Sequence, residues 1–369
     1  MENTPSSVHW SELPMDILRS VFERLSFVDF NHAKNVSPNW YLCSKQTSPR
    51  IDKSPWLMLF PHEGGCALYN PNEARVYKTK RDLSDIRFLA NSGNWFLVLD
   101  SKLDLSIIDL FSGKKIHLPP LDSLKSDQRR LGDKEIMNVE DLRGLLWVDE
   151  KKEEYLVVWY LSYKHKATKF LAFCKNGEDH YREVPDWIEL HLQNRADVVL
   201  LRGDSIYISM TSTLAYIAKL DLSGQEGFKV VVKMKLFVPV LQRCLHDLTY
   251  SSNVAITISG EVLFVVSICN QRTMRRTVHL YKKYDNLKPV RVDSLGDEAL
   301  LLDLGITVPA DHNLGIEPNS IYFTRNRGCE RSCLDISVFN LATKTIKRFP
   351  DLGPSNNLNF EDARWFLPS

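Results

Sequence analysis

Residues 107–119 read IIDLFSGKKIHLP, and residues 338–350 read VFNLATKTIKRFP. In each, an apolar run ends at an amide or carboxylate side chain, Asp109 or Asn340. A short polar turn follows, and a second apolar stretch leads to a proline ten positions further on, Pro119 or Pro350. Asp and Asn favour such turns because their side chains bond the backbone just ahead of them. The pattern is strand, turn, returning strand. It recurs at Asp221-Leu222-Ser223-Gly224 and Tyr69-Asn70-Pro71-Asn72, and more weakly at Lys175-Asn176-Gly177 and Asp285-Asn286. A second echo, Ser205-Ile206-Tyr207 and Ser320-Ile321-Tyr322, precedes its turn by 16–20 residues.

The turns fall near 70, 109, 176, 221, 285 and 340, with gaps of 39 to 67 residues. Units of that length, with three or four strands each, are the mark of a β-propeller, where radial stacking leaves only short protected edges. Six turns predict six blades; a seventh could lie in 120–150 or 285–335. The competing architecture is a large sandwich or a pair of sheets.

Upstream the pattern is helical. Residues 13–40 read LPMDILRSVFERLSFVDFNHAKNVSPNW. Met15, Leu18, Phe22 and Leu25 form one stripe at helical spacing, and Ile17 and Val21 a second. Ser26 with Asp29 predicts a helix start close to a capping box, and Ser37-Pro38 predicts another, with Ser at the cap and Pro at the first turn. The third helix carries Trp40, Tyr41 and Leu42 and ends near 44–48. Three helices this short must pack on one another. Their apolar surface exceeds one face's worth. The surplus serves either as a cap on the following domain or as a surface for another protein.

Leu13-Pro14, Ile17-Leu18, Val21-Phe22, Leu25, Asp29-Phe30, Val36-Ser37 and Trp40 resemble the F-box pattern without a gap. One departure is Pro38-Asn39-Trp40, where many F-boxes carry a basic residue before the Trp. Downstream, Ser294–Leu300 (SLGDEAL), Pro318–Phe323 (PNSIYF), Asp335–Phe339 (DISVF) and the closing Trp365–Ser369 (WFLPS) are similar to the C-terminal domain of a large plant F-box family with a kelch-like propeller. The resemblance implies a small all-α F-box unit at 8–48, a linker at 49–56 and an all-β propeller at 57–369. It also implies that the helices bind the Skp-type adaptor of a cullin–RING ubiquitin ligase, with Leu13, Pro14, Ile17, Leu18, Val21, Leu25, Val36 and Trp40 as contact or supporting residues. Leu18 is placed on the docking stripe. The propeller would then hold an unidentified target protein, and the chain itself would do no chemistry. The other reading is a propeller that binds a small molecule or acts as an enzyme, with the helices as a structural cap. A third is an adaptor-bound protein that sequesters its target and never joins the cullin.

Composition agrees with an intracellular chain, nuclear or cytoplasmic. The 369 residues are 25% charged with a net charge of +1, so no global field draws the chain to nucleic acid or an anionic membrane. The seven cysteines are odd in number and irregularly spaced, and MENTPSSVHW is not a signal peptide, so reduced thiols are expected. No apolar run is long enough to span a membrane.

Cys329 and Cys333, with His312 upstream, lack the second pair that a zinc site usually shows, so no metal or cofactor is expected. Arg202-Gly203-Asp204 reads as a tight turn. Met274–Lys283 is basic and contains an aromatic. It reads as solvated hairpin charge, with an acidic partner or nucleic acid as the alternative. Residues 125–140 read as an exposed loop, and Trp147, Trp159 and Trp187 as blade core.

Overall fold

The computed structural model describes residues 10–47, 54–61, 65–71, 75–78, 86–124, 142–161, 170–184, 196–211, 215–224, 229–236, 248–270, 272–273, 275–282, 289–312, 315–324, 336–348 and 360–368. The exposed loop expected at 125–140, Trp187, Asp285-Asn286, most of the linker and the Cys329–Cys333 pair lie outside them.

Three short helices come first: α1 (Met15–Phe22), α2 (Phe27–Ala33) and α3 (Pro38–Gln46), preceded by a 3-10 turn at Trp10–Glu12. Ser26 caps α2 as expected, its hydroxyl accepting from the Asp29 N–H at 3.1 Å. The Asp29 carboxylate accepts the Ser26 hydroxyl at 2.8 Å, where the longer Glu of a full capping box would reach back to the cap's own N–H. Ser37 caps α3 through the Trp40 N–H at 3.3 Å, with Pro38 in the first turn. Pro14 stands at the cap of α1 and offers no side-chain bond. The helices share one core of Leu18, Phe22, Phe30, Ala33, Trp40 and Cys43. Phe22 sits at its centre, with ring centroids 4.9 Å from Phe30 and 5.6 Å from Trp40.

The strands among the described residues form six blades around an axis. Blade 1 joins β1 (Trp56–Pro61), β2 (Ala67–Asn70) and β3 (Arg75–Lys78) to the chain's last strand. Blade 2 is β4 (Arg87–Ser92), β5 (Trp95–Leu99), β6 (Leu105–Asp109) and β7 (Lys115–His117). Blade 3 is β8 (Leu142–Asp149), β9 (Glu154–Leu161), β10 (Phe170–Lys175) and β11 (Arg182–Glu183). Blade 4 is β12 (Ala196–Arg202), β13 (Ser205–Thr211), β14 (Ala215–Asp221) and β15 (Lys229–Leu236). Blade 5 is β16 (Leu248–Ile256), β17 (Val262–Asn270), β18 (Arg276–Lys282) and β19 (Val290–Val292). Blade 6 holds β20 (Glu298–Leu301), β21 (Ile306–Pro309), β22 (Ser320–Phe323), β23 (Ser337–Asn340) and β24 (Ile346–Arg348). β25 (Phe360–Phe366) then returns to pair with β1 and closes the ring.

Blades 5 and 6 run into one nine-stranded sheet, because Ile256 of β16 pairs in parallel with Ile306 of β21 and β20 pairs in parallel with β22. The stretch 285–335, where a seventh blade could have lain, supplies this extra β20–β21 hairpin instead. β1 begins at Trp56, a residue the linker had been expected to include.

Every repeated Asp or Asn turn within the described residues lies between the two outermost strands of a blade. Asp109 Oδ1 accepts from the Phe111 N–H at 2.9 Å, and Asp221 Oδ1 from Ser223 at 2.9 Å. Asn340 Oδ1 accepts from Ala342 and Thr343, both at 3.0 Å. The second echo has a cause too: Ser205 lies directly across from Asp221, and Ser320 from Asn340, at the same end of each blade.

Six apolar cores hold the ring, one between each neighbouring pair of blades. This explains why central strands such as WFLVL (β5) are apolar throughout. Phe96 and Val98 enter the core shared with blade 1, while Trp95, Leu97 and Leu99 enter the core shared with blade 3. In a two-sheet sandwich one face of each strand would meet water. In a propeller both faces are interior.

Gly305 turns from β20 into β21 with φ +63°. A Cβ there would stand 2.8 Å from Leu200 Cδ1 and 2.9 Å from the Val254 carbonyl oxygen. Gly203, in the β12–β13 turn, has φ +54° but open space around it. Gly305→Ala is therefore expected to cost roughly 2–4 kcal/mol, from left-handed strain plus overpacking. Gly203→Ala should cost only the strain, about 1 kcal/mol. Thermal unfolding of the two variants side by side checks this; equal losses would contradict the packing assignment.

Candidate adaptor-docking surface and propeller channel

The eight helical positions separate into three groups. Pro14, Ile17 and Val36 are exposed. Leu13, Val21 and Leu25 are half-buried against the helical core. Leu18 and Trp40 are inside it. The stripe 15–18–22–25 thus faces inward, and Leu18 is 0% exposed, whereas its neighbour Ile17 is 49% exposed. Leu18 does not lie on a docking face. Its side chain points into the helical core, since adjacent helical residues point about 100° apart.

The exposed surface also takes in Trp10, Tyr41 and Leu42. Tyr41 and Leu42 follow the inward-facing Trp40 directly, and three successive residues of one helix cannot all face its core. That signal was present in the sequence. Trp10 lies upstream of the helices, and only tertiary contacts place it: its carbonyl accepts from Trp40 Nε1 at 2.9 Å. Asn39, the residue that departs from the usual F-box pattern, donates from Nδ2 to the Leu13 carbonyl at 3.0 Å and ties α3 to the start of α1.

The helical unit meets the propeller over a cleft of about 430 Å3, lined by Phe30 and Lys34 on one side and Trp95, Phe111, Glu150 and Tyr155 on the other. Arg75 and Asp29 face each other across the join at 4.0 Å, both well exposed. A surface pair of that kind contributes little. Ile17, Val36, Tyr41 and Leu42 are not covered by the strands.

Along the propeller axis runs a cavity of about 200 Å3. Most of its wall comes from Leu89–Asn91 of β4, Arg143–Leu146 of β8, Leu200-Leu201 of β12, Asn253-Val254 of β16 and Arg364-Trp365 of β25, and the β20–β21 turn lies against it. The charged groups on this wall are Arg143, Arg276, Arg364 and Asp303.

Other candidate groups are structural. Arg202-Gly203-Asp204 is the β12–β13 hairpin turn, and the Asp204 carboxylate pairs at 3.0 Å with Lys175 of the neighbouring blade. Lys175 also donates to the Leu222 carbonyl at 2.6 Å. Cys43, Cys66, Cys174 and Cys269 are buried. Burial, and then the charge of Glu178, pushes the Cys174 thiol up to about 12, so it stays protonated at neutral pH. Trp159 is wholly enclosed in the core between blades 2 and 3, against Tyr181, and Trp147 packs on the core between blades 3 and 4. The basic stretch 274–283 is largely absorbed by the fold: Arg276 is buried with its guanidinium 4.8 Å from the Phe323 ring centroid, and Lys282 pairs with Glu261. Among the described residues no group of three or more His, Cys, Asp or Glu could hold a metal ion. No helix among them is long and apolar enough to cross a membrane.

A capped three-helix unit with an uncovered apolar surface, joined to a six-bladed propeller, defines an F-box–propeller protein. Residues 10–51 match the F-box domain, and residues 68–340 match the KIB1-4 beta-propeller. The chain belongs to the F-box proteins that carry a KIB1-4 beta-propeller. It is 55% identical to F-box protein At5g25290 of Arabidopsis thaliana, over 98% of this chain and 97% of that protein. It is 47% identical to F-box protein At2g14290 of the same plant, over 99% of each. With Arabidopsis F-box protein KIB3 it shares 32% identity, over 96% of this chain and 82% of that protein.

Proposed function

We propose that this chain is a substrate-receptor subunit of an SCF-type ubiquitin ligase, an intracellular and non-catalytic component. The F-box docks a Skp-type adaptor, and through it a cullin–RING ligase, while the propeller holds the target protein. The observation that carries this reading is the group of large apolar side chains, Ile17, Val36, Tyr41 and Leu42, left in water on a helical unit that matches the F-box. A 40-residue unit that can barely fill its own core has no structural use for them. Four such side chains, at roughly 1.5–3 kcal/mol each, contribute substantially to a protein contact, which other contacts must complete once association entropy is met.

The receptor's contribution is proximity. A target held on the rigid propeller presents its lysines at high effective concentration to the charged conjugating enzyme. Co-expression with a Skp-type adaptor tests the reading: a one-to-one complex is expected on size-exclusion chromatography, recruiting a cullin when one is added. Absence of a complex would remove the receptor reading, and a complex that refuses the cullin would leave sequestration in its place.

A further inference from the structure

The helical surface left in water holds a hydroxyl among its apolar side chains. Ser37 is half-exposed and stands between two members of that surface. Val36, 57% exposed, directly precedes it. Tyr41, 47% exposed, lies one helical turn on, with its N–H bonded to the Ser37 carbonyl at 2.9 Å. The backbone at Ser37 is extended, with φ −159° and ψ 166°. Its Oγ accepts the Trp40 N–H at 3.3 Å, and among the described residues no acceptor takes the hydroxyl proton itself.

Pro38 follows, and a serine directly before a proline is the pair that proline-directed protein kinases modify. The chain has four Ser-Pro or Thr-Pro pairs, beginning at Thr4, Ser37, Ser48 and Ser54. Thr4 and Ser48 lie outside the described residues, and Ser54 is buried, so Ser37 is the described one that a kinase reaches. The helices around it are nine residues or shorter, so their ends open locally at small cost to admit an enzyme.

A phosphate on Ser37 would act in opposite directions on fold and docking. It carries about 1.5–2 negative charges at neutral pH, and it would stand at the N-terminus of α3, where the helix dipole and the N–H groups of the first turn favour an anion. The helical unit therefore keeps its fold. When a partner covers Val36 and Tyr41, the same charge is taken out of water among apolar groups, which is costly.

We propose that Ser37 is a phosphorylation site for a proline-directed protein kinase, and that its modification releases the Skp-type adaptor from a helical unit that stays folded. The γ-phosphoryl group of ATP passes to Ser37 Oγ, the hydroxyl proton goes to the kinase's base, and ADP leaves. The proposal rests on the docking reading of this surface.

Ser37→Asp and Ser37→Asn test the switch. Both side chains cap a helix about as well as serine, so the two variants share a melting temperature and differ in charge. Ser37→Asn is expected to bind a recombinant Skp-type adaptor about as tightly as wild type, and Ser37→Asp about ten-fold or more weakly. Incubation of the full chain with ATP and a mitogen-activated protein kinase, followed by mass spectrometry, is expected to place a phosphate on Ser37. The phosphorylated chain, set beside the same chain after phosphatase treatment, reads the effect on adaptor binding without any substitution. Equal adaptor affinity of Ser37→Asp and Ser37→Asn, no phosphate on Ser37, or undiminished binding by the phosphorylated chain would overturn the proposal and leave the receptor reading standing. A wild-type chain that binds no adaptor would overturn both.

Discussion

Ile17→Asp is expected to leave the chain folded and to abolish capture of a Skp-type adaptor, while Leu18→Asp, one residue on, unfolds the helical unit. The two residues share a helix and differ in what surrounds them. Ile17 stands half in water, so a carboxylate there costs the free chain little. In a docked complex the same carboxylate would be buried without a partner. Loss of the apolar contact, roughly 1.5–3 kcal/mol, combines with that desolvation cost and should lower affinity by about a hundred-fold or more. Leu18 is wholly enclosed against Phe22, Phe30 and Trp40. A carboxylate in that site costs several kcal/mol, and helices of seven to nine residues have no stability of their own to absorb it. Adaptor pull-down, read beside limited proteolysis of the N-terminal 50 residues, separates the outcomes. Full adaptor binding by a folded Ile17→Asp protein would show that the exposed surface is not the docking surface.

Trp365→Ala is expected to destabilise the propeller by about 3–5 kcal/mol, and removal of 360–369 to abolish its cooperative unfolding. β25 pairs with β1, setting Trp365 opposite Leu57 and Phe366 opposite Trp56, so the first and last described strands complete blade 1 together. Its side chains alternate between two cores. Ala363 and Trp365 enter the core with blade 6, where Trp365 meets the Tyr322 ring edge-on at 5.5 Å. Phe366 enters the core with blade 2, 5.6 Å from Phe96. Arg364 bonds the Leu89 carbonyl of blade 2. Without the strand, blades 1, 2 and 6 all lose an apolar wall at once. For the point variant a fall in melting temperature of roughly 5–8 °C is expected, scaled from the entropy of unfolding of a domain this size. A truncated chain that melts in one transition near the wild-type temperature would contradict closure by β25.

The blade turns were readable because turn chemistry is local. Asp109, Asp221 and Asn340 bond N–H groups two or three residues ahead, and such contacts are encoded in adjacent letters. Both capping serines were legible for the same reason. Leu18 was not, because helical spacing shows that two stripes exist without showing which stripe its own partners cover. The extra hairpin β20–β21 was equally hidden, since it depends on Ile306 meeting Ile256, fifty residues earlier. The arginine wall of the channel is the extreme case: residues 143, 276 and 364 share no local pattern.

By itself, then, the order of residues determined the repeating strands, their turns at Asp109, Asn176, Asp221 and Asn340, the two serine-capped helix starts and the family resemblance; the turns and caps arise from interactions within a few positions along the chain. Only the tertiary structure decided that Ile17 faces water while Leu18 does not, that the last strand completes the first blade, and that three distant guanidiniums meet at the axis. Each of those depends on which apolar face finds a partner when the ring closes, and burial against a distant segment leaves no mark in neighbouring letters.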